Sequence, residues 1–306
     1  MRTTRLNHEA NNAPEVYAAE TAMPQYPFRI VNVFADAGAA QPVLTGNPLA
    51  VFEDAHGMSS ETMQALALQF NLSETVFLLP SDKATRRIRI FTTAFEMPFA
   101  GHPTLGSAQV VRALTGADNN ITLETRAGVI PVAAKGDTWT LTANAPQTRP
   151  WTHSREALAQ MLNINADDLA DTPLWVNTGN EQLVVPLASV DAVRRCRADA
   201  AGLIAEKANN PTPKVYVWAN RGGEDLQVRF FLLKHNAVWE DHGTGSAAAN
   251  LGGWFVARKT PLPLHRVIHQ GEPIGRPSKL LLDVDGARGI HVGGLVIDVG
   301  RGTVTV

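Results

Sequence analysis

Three titratable residues lie beside short segments that could hold a small molecule, and together they could carry acid–base chemistry. His102 lies in the run Phe99-Ala-Gly-His-Pro-Thr-Leu-Gly106, and Asp241 lies in Glu240-Asp-His-Gly-Thr-Gly-Ser-Ala247. Glu74 lies where a predicted helix ends and an apolar strand begins. A carboxyl group that faces a pocket can take a proton from a bound molecule and return it. The three residues are therefore the candidate catalytic groups.

Each of the three residues also has a structural interpretation. A histidine before a proline is often a turn residue, an aspartate before a helix is usually a cap, and a glutamate between two elements can be an exposed connector. His242, beside Asp241, is a further possible participant, although its side chain could point away. Taken one at a time, these residues leave both interpretations open.

The two glycine-containing segments are altered copies of one pattern. Aligned without a gap, the copies place related residues at matching positions: Phe91 and Phe230, His102 and Asp241, and Gly106-Ser-Ala108 and Gly245-Ser-Ala247. A second matching pair, Thr45-Gly-Asn47 and Thr178-Gly-Asn180, lies upstream in the same order. The shared order predicts an internal duplication that puts His102 and Asp241 at equivalent places in two similar halves.

Both copies run from a strand through a tight turn into a predicted helix with small first residues. The free N–H groups and the dipole of such a helix start favour an anion such as a carboxylate. Thr104 and Thr244 could equally be plain N-caps, with the glycines Gly106 and Gly245 serving helix packing. Two such starts facing each other across a cleft between domains would form a two-sided site for a small molecule.

Composition narrows the class of protein. The 306 residues allow two domains of ordinary size, and 44% hydrophobic residues suffice for a core in each. A net charge of −2 with scattered basic residues argues against nucleic acid as a partner. The single cysteine, Cys196, suits a reducing cytoplasm. No apolar run of about 18 residues predicts a membrane span, and no secretory signal is apparent.

The residue patterns that predict helices, strands and turns together predict an α+β fold with mostly antiparallel or mixed sheets. Residues 1–26 read as a mobile extension, and the first strand is predicted from Phe28 to Phe34. Helices are predicted at 59–70, 105–114, 154–162 and 190–198 and after Thr244, and Pro146–Pro150 reads as a linker. Separate strands at 280–284, 290–292, 295–299 and 303–306 are predicted to close the chain.

The sequence lacks the motifs that are typical of several classes of enzyme and cofactor-binding protein. No glycine-rich nucleotide-binding motif follows a strand, and no Gly-x-Ser-x-Gly occurs. The nine histidines and one cysteine show no metal-ligand spacing. Chemistry that needs neither a cofactor nor a metal is therefore the expectation.

Five motifs in order resemble the signatures of the PhzF phenazine-biosynthesis isomerase family. They are Thr45-Gly-Asn-Pro-Leu-Ala-Val-Phe52, Leu72-Ser-Glu-Thr-Val-Phe77, the run from Phe91 to Gly106, Glu240-Asp-His-Gly-Thr-Gly-Ser-Ala247 and Gln270-Gly-Glu-Pro-Ile-Gly-Arg-Pro-Ser278. The resemblance implies the diaminopimelate-epimerase-like fold, in which each of two similar domains wraps a barrel-like sheet around a central helix and the active site lies in the cleft between them. The implied domains are 27–147 with about 295–306, and 148–294.

The resemblance also implies a function and a site. The function is cofactor-independent isomerisation of a small cyclic or amino-acid-like carboxylate, as in the isomerisation of trans-2,3-dihydro-3-hydroxyanthranilate by the founding enzyme. Glu74, His102 and Asp241 take the catalytic positions, and the substrate-binding positions are Ser73, Gly101, Gly245 and Ser246. A homodimer is implied as well.

The chain departs from the family pattern at one place in this site. His242-Gly243 stands where the family usually has Pro-Ala, so the pocket wall and the substrate could differ. The two cysteines of related amino-acid epimerases are missing, which argues against cysteine-based racemisation. The alternative hypothesis is a non-catalytic member of the same fold that binds a small molecule or a protein.

Overall fold

The computed structural model describes residues 23–306, so most of the predicted mobile extension lies outside the described residues. The helices are α1 (Ser60–Phe70), α2 (Gly101–Thr115), α3 (Arg155–Leu162), α4 (Val190–Arg195), α5 (Ala200–Ala205) and α6 (Gly245–Ala257). The strands of the first half are β1 (Gln25–Ala35), β2 (Asn47–Phe52), β3 (Thr75–Leu79), β4 (Arg86–Phe91), β5 (Glu96–Met97), β6 (Asn120–Thr125), β7 (Gly128–Lys135) and β8 (Thr138–Thr142). Those that follow are β9 (Gln147–Pro150), β10 (Leu174–Asn177), β11 (Glu181–Pro186), β12 (Lys214–Gly222), β13 (Asp225–Lys234), β14 (Ala237–Asp241), β15 (Leu264–Gln270), β16 (Ser278–Val284) and β17 (Ile290–Thr305).

The two halves of the chain repeat one pattern of strand pairing. In the first half, β1 and β2 pair antiparallel, β2 and β3 parallel, β3 and β4 antiparallel, and β4 and β6 parallel. In the second half, β10, β11, β12, β13 and β15 pair in the same sequence of directions. The predicted fold class, α+β with two similar halves and mixed sheets, is confirmed.

Each half wraps its sheet around a helix that contains one of the repeated segments. The strands β1, β2, β3, β4, β6, β7, β8 and β17 form a closed ring, and α2 contacts every one of them. Gly106 allows this close packing, because an added Cβ would lie 2.7 Å from Leu49 Cδ2 and 2.9 Å from Val33 Cγ2. Helix α6 packs against β9, β10, β11, β16 and β17 in the second half.

Helix α2 begins earlier than the sequence predicts. Its first residue is Gly101 and its N-cap is Ala100, because Pro103 is tolerated in a first turn whose N–H groups need no partner within the helix. His102 therefore lies inside the first turn rather than before the helix. Thr104 is not the N-cap, since its hydroxyl donates a hydrogen bond to the Ala100 carbonyl at 2.7 Å.

A segment that was predicted as a linker is a strand in the structure, and three segments that were predicted as separate strands form one strand. Residues 147–150 form β9, which pairs with β10, so the predicted linker Pro146–Pro150 is wrong in its local structure. The three last predicted strands are one strand, β17, which pairs in turn with β16, β8 and β1. Gly293 lets β17 approach β8, because an added Cβ would lie 2.5 Å from the Trp139 carbonyl oxygen. The domain boundaries at 147 and about 295 stay a prediction.

Candidate active site

Glu74 and His102 come together where the connection before β3 meets the start of α2. Glu74 lies in the connection between α1 and β3, as predicted, because Ser59 caps the start of α1 and Asn71 ends it in the left-handed conformation. His102 Nδ1 lies 3.2 Å from Glu74 Oε2. Both side chains are largely buried, with 18% of Glu74 and 6% of His102 exposed. The structure therefore pairs a carboxyl group with an imidazole at the start of a helix.

Asp241 ends β14 in the second half and faces the same cluster. Burial raises its pKa to about 6, and the nearby carboxyl group of Glu74 adds to this effect. A hydrogen bond from Thr244, the charge of His102 and the backbone N–H of His242 oppose the increase. The charges of Glu74 and His102 both affect the pKa of Asp241, so the three candidate residues interact electrostatically.

The first half also contributes directly to the surroundings of Asp241. Asn47, at the start of β2, donates from Nδ2 to Asp241 Oδ1 at 3.3 Å and to the Gly243 carbonyl at 2.9 Å. The Thr244 hydroxyl donates to Asp241 Oδ2, and the His242 N–H donates to Oδ1 at 3.0 Å. The site is thus built from both halves, as the duplication predicts for a cleft between them.

The two helix starts face each other at this site. A Cβ added to Gly245, the first residue of α6, would lie 3.9 Å from the His102 backbone nitrogen. Thr244 is the N-cap of α6, and neither it nor the N-cap of α2 makes a side-chain capping bond. The first N–H groups of both helices are therefore not satisfied by their own caps, so they can receive an anion.

The remaining predicted binding residues lie around these helix starts. Gly101 is the first residue of α2, and Ser73 is an exposed neighbour of Glu74. The Ser246 hydroxyl accepts a hydrogen bond from Gln182 Nε2 at 2.9 Å, which leaves its own proton available to donate. These positions are compatible with contacts to a ligand held between the halves.

Sequence reasoning missed Gln270, whose only signal was its place at the head of a recognised motif. Gln270 Nε2 donates to the Asp241 carbonyl at 2.8 Å and to the Thr244 hydroxyl at 2.9 Å, while its Oε1 accepts from the Thr244 N–H at 3.2 Å. From the same segment, the Pro277 carbonyl accepts from the Gly46 N–H at 2.8 Å. The segment therefore fixes the turn before α6 against the turn before β2.

Asn47 donates a hydrogen bond to Asp241 and so belongs to the site, and Tyr216 lies on the same face of the sheet as Asp241; neither was predicted as a site residue. The repeated Thr-Gly-Asn pattern singled out Asn47, although without a role. Tyr216, in the middle of the apolar strand β12, gave no signal at all. Its pKa is raised well above the usual value by burial and, to a smaller extent, by the charge of Asp241.

Neither a metal-binding cluster nor a membrane-spanning helix is found in the described part of the chain. Residues 23–306 contain no group of three or more histidine, cysteine, aspartate or glutamate side chains that could hold a metal ion. None of the helices in this range is long and apolar enough to cross a membrane. Cys196 is buried, and burial raises the pKa of its thiol to about 12, as expected of a structural cysteine.

Residues 31–297 match the model of the family described as phenazine biosynthesis-like protein. The chain belongs to the PhzF family. An uncharacterized isomerase of Pasteurella multocida is 37% identical over 92% of this chain and 94% of its own length. A trans-2,3-dihydro-3-hydroxyanthranilate isomerase of Pseudomonas aeruginosa is 38% identical over 83% of this chain and 90% of its own length. These relatives place the protein in an isomerase family.

A solved PhzF-family structure shares the fold of the whole described chain. The phenazine biosynthesis protein of Bacillus anthracis aligns with a TM-score of 0.80 and 23% identity, covering 93% of this chain and 100% of that one. The fold that the motifs implied is therefore confirmed, and the protein is an enzyme of the isomerase class.

The structure explains how this PhzF-family member accommodates His242-Gly243. A Cβ added to Gly243 would lie 2.9 Å from Ser278 Oγ and 3.3 Å from Phe34 Cδ2, so the turn passes through a narrow space. His242 Nδ1 lies 3.7 Å from Asp241 Oδ1. Burial, assisted by the charges of Arg276 and His102, lowers the pKa of His242 to about 4. A neutral imidazole therefore stands beside Asp241 at neutral pH.

Proposed function

We propose that the protein isomerises a small cyclic or amino-acid-like carboxylate by moving a proton between two of its carbons, without a cofactor. The observation that carries this proposal is the single cluster of Glu74, His102 and Asp241 between two helix starts. Acid–base residues at the start of a helix combine a proton carrier with an anion-binding end. Relatives named isomerases support the reaction class.

In the proposed reaction, Glu74 is the proton carrier. Its carboxylate takes a proton from one carbon, and the electron pair of that C–H bond moves into the conjugated system of the substrate. The proton on Glu74 exchanges with water, and Glu74 then delivers a proton to another carbon of the same system, so substrate and product have the same composition. A group that acts first as a base and then as an acid needs no further reactant.

The other residues bind and orient the substrate. The substrate carboxylate is received by the α6 start at Gly245 and Ser246, where the helix dipole favours negative charge. Ser73 and Gly101 contact the substrate from the first half, beside Glu74. His102 orients Glu74 through the 3.2 Å contact between Nδ1 and Oε2, and Asp241 orients the substrate from the opposite side.

The first substrate to test is trans-2,3-dihydro-3-hydroxyanthranilate, the compound after which the relative in Pseudomonas aeruginosa is named. In D2O, the wild-type protein should place deuterium in the product at the carbon that receives the proton, as read by mass spectrometry. Glu74→Gln keeps the size of the side chain but removes the base, and it should abolish incorporation while leaving binding intact. Glu61→Gln, at an exposed position in the first turn of α1, is the matched control and should retain full exchange.

Full exchange by the Glu74→Gln variant would refute the assignment of Glu74. A thermal shift with no exchange by the wild-type protein would instead favour the alternative, a protein that binds this molecule without converting it.

We further propose that the protein acts as a homodimer in the cytoplasm. The family resemblance supports the dimer, and the single cysteine supports a reducing compartment. Light scattering of the purified protein tests the dimer, and a mass equal to one chain would refute it.

A further inference from the structure

A continuous chain of hydrogen bonds joins the second Thr-Gly-Asn segment to the start of α6. At one end, the Thr178 N–H donates to Asn250 Oδ1 at 2.9 Å, and Asn250 Nδ2 donates to the Asn180 carbonyl at 2.8 Å. Asn250 Nδ2 also donates to Gln182 Oε1 at 2.9 Å, and Gln182 Nε2 donates to the Ser246 hydroxyl at 2.9 Å. Asn250 and Gln182 are wholly buried, whereas Ser246 is partly exposed. The repeated segment, whose role the sequence left open, is thus connected to a predicted substrate-binding residue.

Backbone groups at the far end fix the direction of every bond in this chain. A backbone N–H only donates and a backbone carbonyl only accepts, so Thr178 must meet the oxygen of the Asn250 amide and Asn180 its nitrogen. The second hydrogen of that nitrogen requires an oxygen, which orients the Gln182 amide with Oε1 toward Asn250 and Nε2 toward Ser246. The Ser246 oxygen therefore accepts from Gln182, and the proton of its hydroxyl is left to donate to a ligand.

The first half repeats the same elements without this chain. In the aligned repeats, Leu49 on β2 takes the place of Gln182 on β11. Val111 on α2 takes the place of Asn250 on α6, and both apolar residues are wholly buried in the core. A sheet wrapped around a central helix therefore forms without either polar residue, so the polar pair in the second half is not a requirement of the fold.

The matching serines of the two helices differ in the same way. Ser107 is wholly buried in the second turn of α2, which begins at Gly101, and its hydroxyl has no hydrogen-bond partner among residues 23–306. Ser246 instead follows Gly245, the first residue of α6. It thus adds an oriented hydroxyl to the free N–H groups of the helix start, and donors that converge in this way suit a carboxylate.

We propose that Gln182 is a positioning residue: held by Asn250, it presents the Ser246 hydroxyl as a hydrogen-bond donor to the carboxylate of the substrate. The chain also assigns the carboxylate to the start of α6 rather than to the start of α2, because the Ser107 hydroxyl is not oriented by a partner among the described residues. This inference rests on the proposed function, since it assumes that Ser246 contacts the substrate.

Reversal of one hydrogen bond tests this role. Gln182→Glu keeps the shape of the side chain, but an ionised carboxylate only accepts, so the Ser246 hydroxyl would donate to it instead of to the ligand. The probe is 3-hydroxyanthranilate, the stable aromatic counterpart of the substrate to be tested. In calorimetric titrations its affinity should fall roughly 10- to 100-fold, the range for a hydrogen bond to a charged group.

The carboxamide of the same probe distinguishes positioning from damage to the pocket. The amide is uncharged and can itself donate to the Ser246 oxygen, so Gln182→Glu should change its affinity by less than about threefold. Equal losses of affinity for the acid and the amide would show a structural role and overturn the inference.

A double-mutant cycle with Ser246→Ala separates the hydroxyl from the added charge. If Gln182 acts through Ser246, Gln182→Glu should weaken binding of the acid by less than about threefold in the Ser246→Ala background, because the hydroxyl is already absent. The full loss in that background would assign the effect to charge repulsion and overturn the inference. Ser107→Ala, the matched control on α2, should bind the acid like the wild-type protein.

Gln182→Met gives the same test without a charge. Methionine has a similar length but no amide, so the Ser246 hydroxyl loses its orientation and the acid should bind less tightly, although the loss should be smaller than with Gln182→Glu. This loss should also disappear in the Ser246→Ala background. Wild-type affinity in Gln182→Met, or failure of the wild-type protein to bind the acid, would overturn the inference.

The proposed function fails by a different measurement. At saturating trans-2,3-dihydro-3-hydroxyanthranilate, Gln182→Glu should still incorporate deuterium from D2O, with a raised KM and a kcat within about threefold of the wild-type value, because the carboxylate contact serves binding rather than proton transfer. The expected cycle without any exchange by the wild-type protein would reject the isomerase reaction and leave the positioning role in place. Exchange by the wild-type protein with an unchanged KM in Gln182→Glu would reject the positioning role alone.

Discussion

Replacing Asp241 by asparagine should stabilise the protein at neutral pH while it impairs the site. Only 19% of the Asp241 side chain is exposed, and burial is the main reason that its pKa is raised to about 6. The ionised carboxylate is therefore held in the folded state against its preference for water. Asparagine has nearly the same shape and never carries this charge.

The size and sign of the effect follow from the difference between the folded and unfolded states. The pKa changes from 3.8 to about 6 on folding, so the folded state binds the proton more tightly. Stability from this group is fully present below about pH 4 and is lost as the pH rises through about 6. With about 1.4 kcal/mol for each unit, the loss is roughly 2–3 kcal/mol.

Urea unfolding at several pH values between 4 and 8 measures this effect. The quantity to compare is the free energy of unfolding of Asp241→Asn minus that of the wild-type protein. We expect this difference to increase by roughly 2–3 kcal/mol from pH 4 to pH 8. Costs that do not depend on pH, such as an altered hydrogen bond with Thr244, cancel in this change. Isomerase activity should fall, because the charged group is lost.

Asp285→Asn is a control with the opposite sign. Hydrogen bonds from His291 and from the Gly289 and Ala287 backbone hold the pKa of Asp285 below its usual value. Stability from Asp285 is therefore present above about pH 4 and is lost only in stronger acid, so the difference between this variant and the wild-type protein should stay nearly constant from pH 4 to pH 8 and should shrink below pH 4. A difference between Asp241→Asn and the wild-type protein that stays flat or decreases with pH would refute the reasoning.

Two further variants test the packing around the site. Gln270→Leu removes three hydrogen bonds to the turn before α6, so it should lower the free energy of unfolding by about 1–3 kcal/mol and should also lower kcat. Its control is Gln64→Leu, which removes one hydrogen bond near the surface and should lower the free energy of unfolding by less than about 1 kcal/mol. Equal losses in the two variants, by urea unfolding, would contradict this. Gly106→Ala should cost about 1–3 kcal/mol because of the 2.7 Å approach to Leu49, whereas Gly286→Ala, with no neighbour within 4 Å, should change stability by less than about 0.5 kcal/mol. A wild-type melting temperature for Gly106→Ala would show that the ring has room for a methyl group.

Short-range signals explain why many elements could be predicted. Ser59 and Ser154 cap their helices, and Asn71 and Asn163 end them in the left-handed conformation, so these helices were predicted within a residue. Such caps act within one turn of the chain and need no distant partner. The position of Glu74 between α1 and β3 follows from the same local information.

Strand pairing explains why other elements could not be predicted. The segments that form β17 look separate in sequence because glycines lie between them, yet β8 and β1 hold the strand continuous. Residues 147–150 look like a linker and become a strand only because β10 is beside them. Pairing partners far along the chain override the local pattern.

The sequence by itself determined the duplication and the fold class, and it predicted three candidate acid–base residues, because motifs and their order can be read along the chain. Only the tertiary structure decided which further residues of the two halves contact the candidate site. Asn47 donates a hydrogen bond to Asp241, which lies 194 residues further along the chain, and Gln270 fixes the turn before α6. These contacts depend on sheet register and burial, which bring together residues that no local pattern connects.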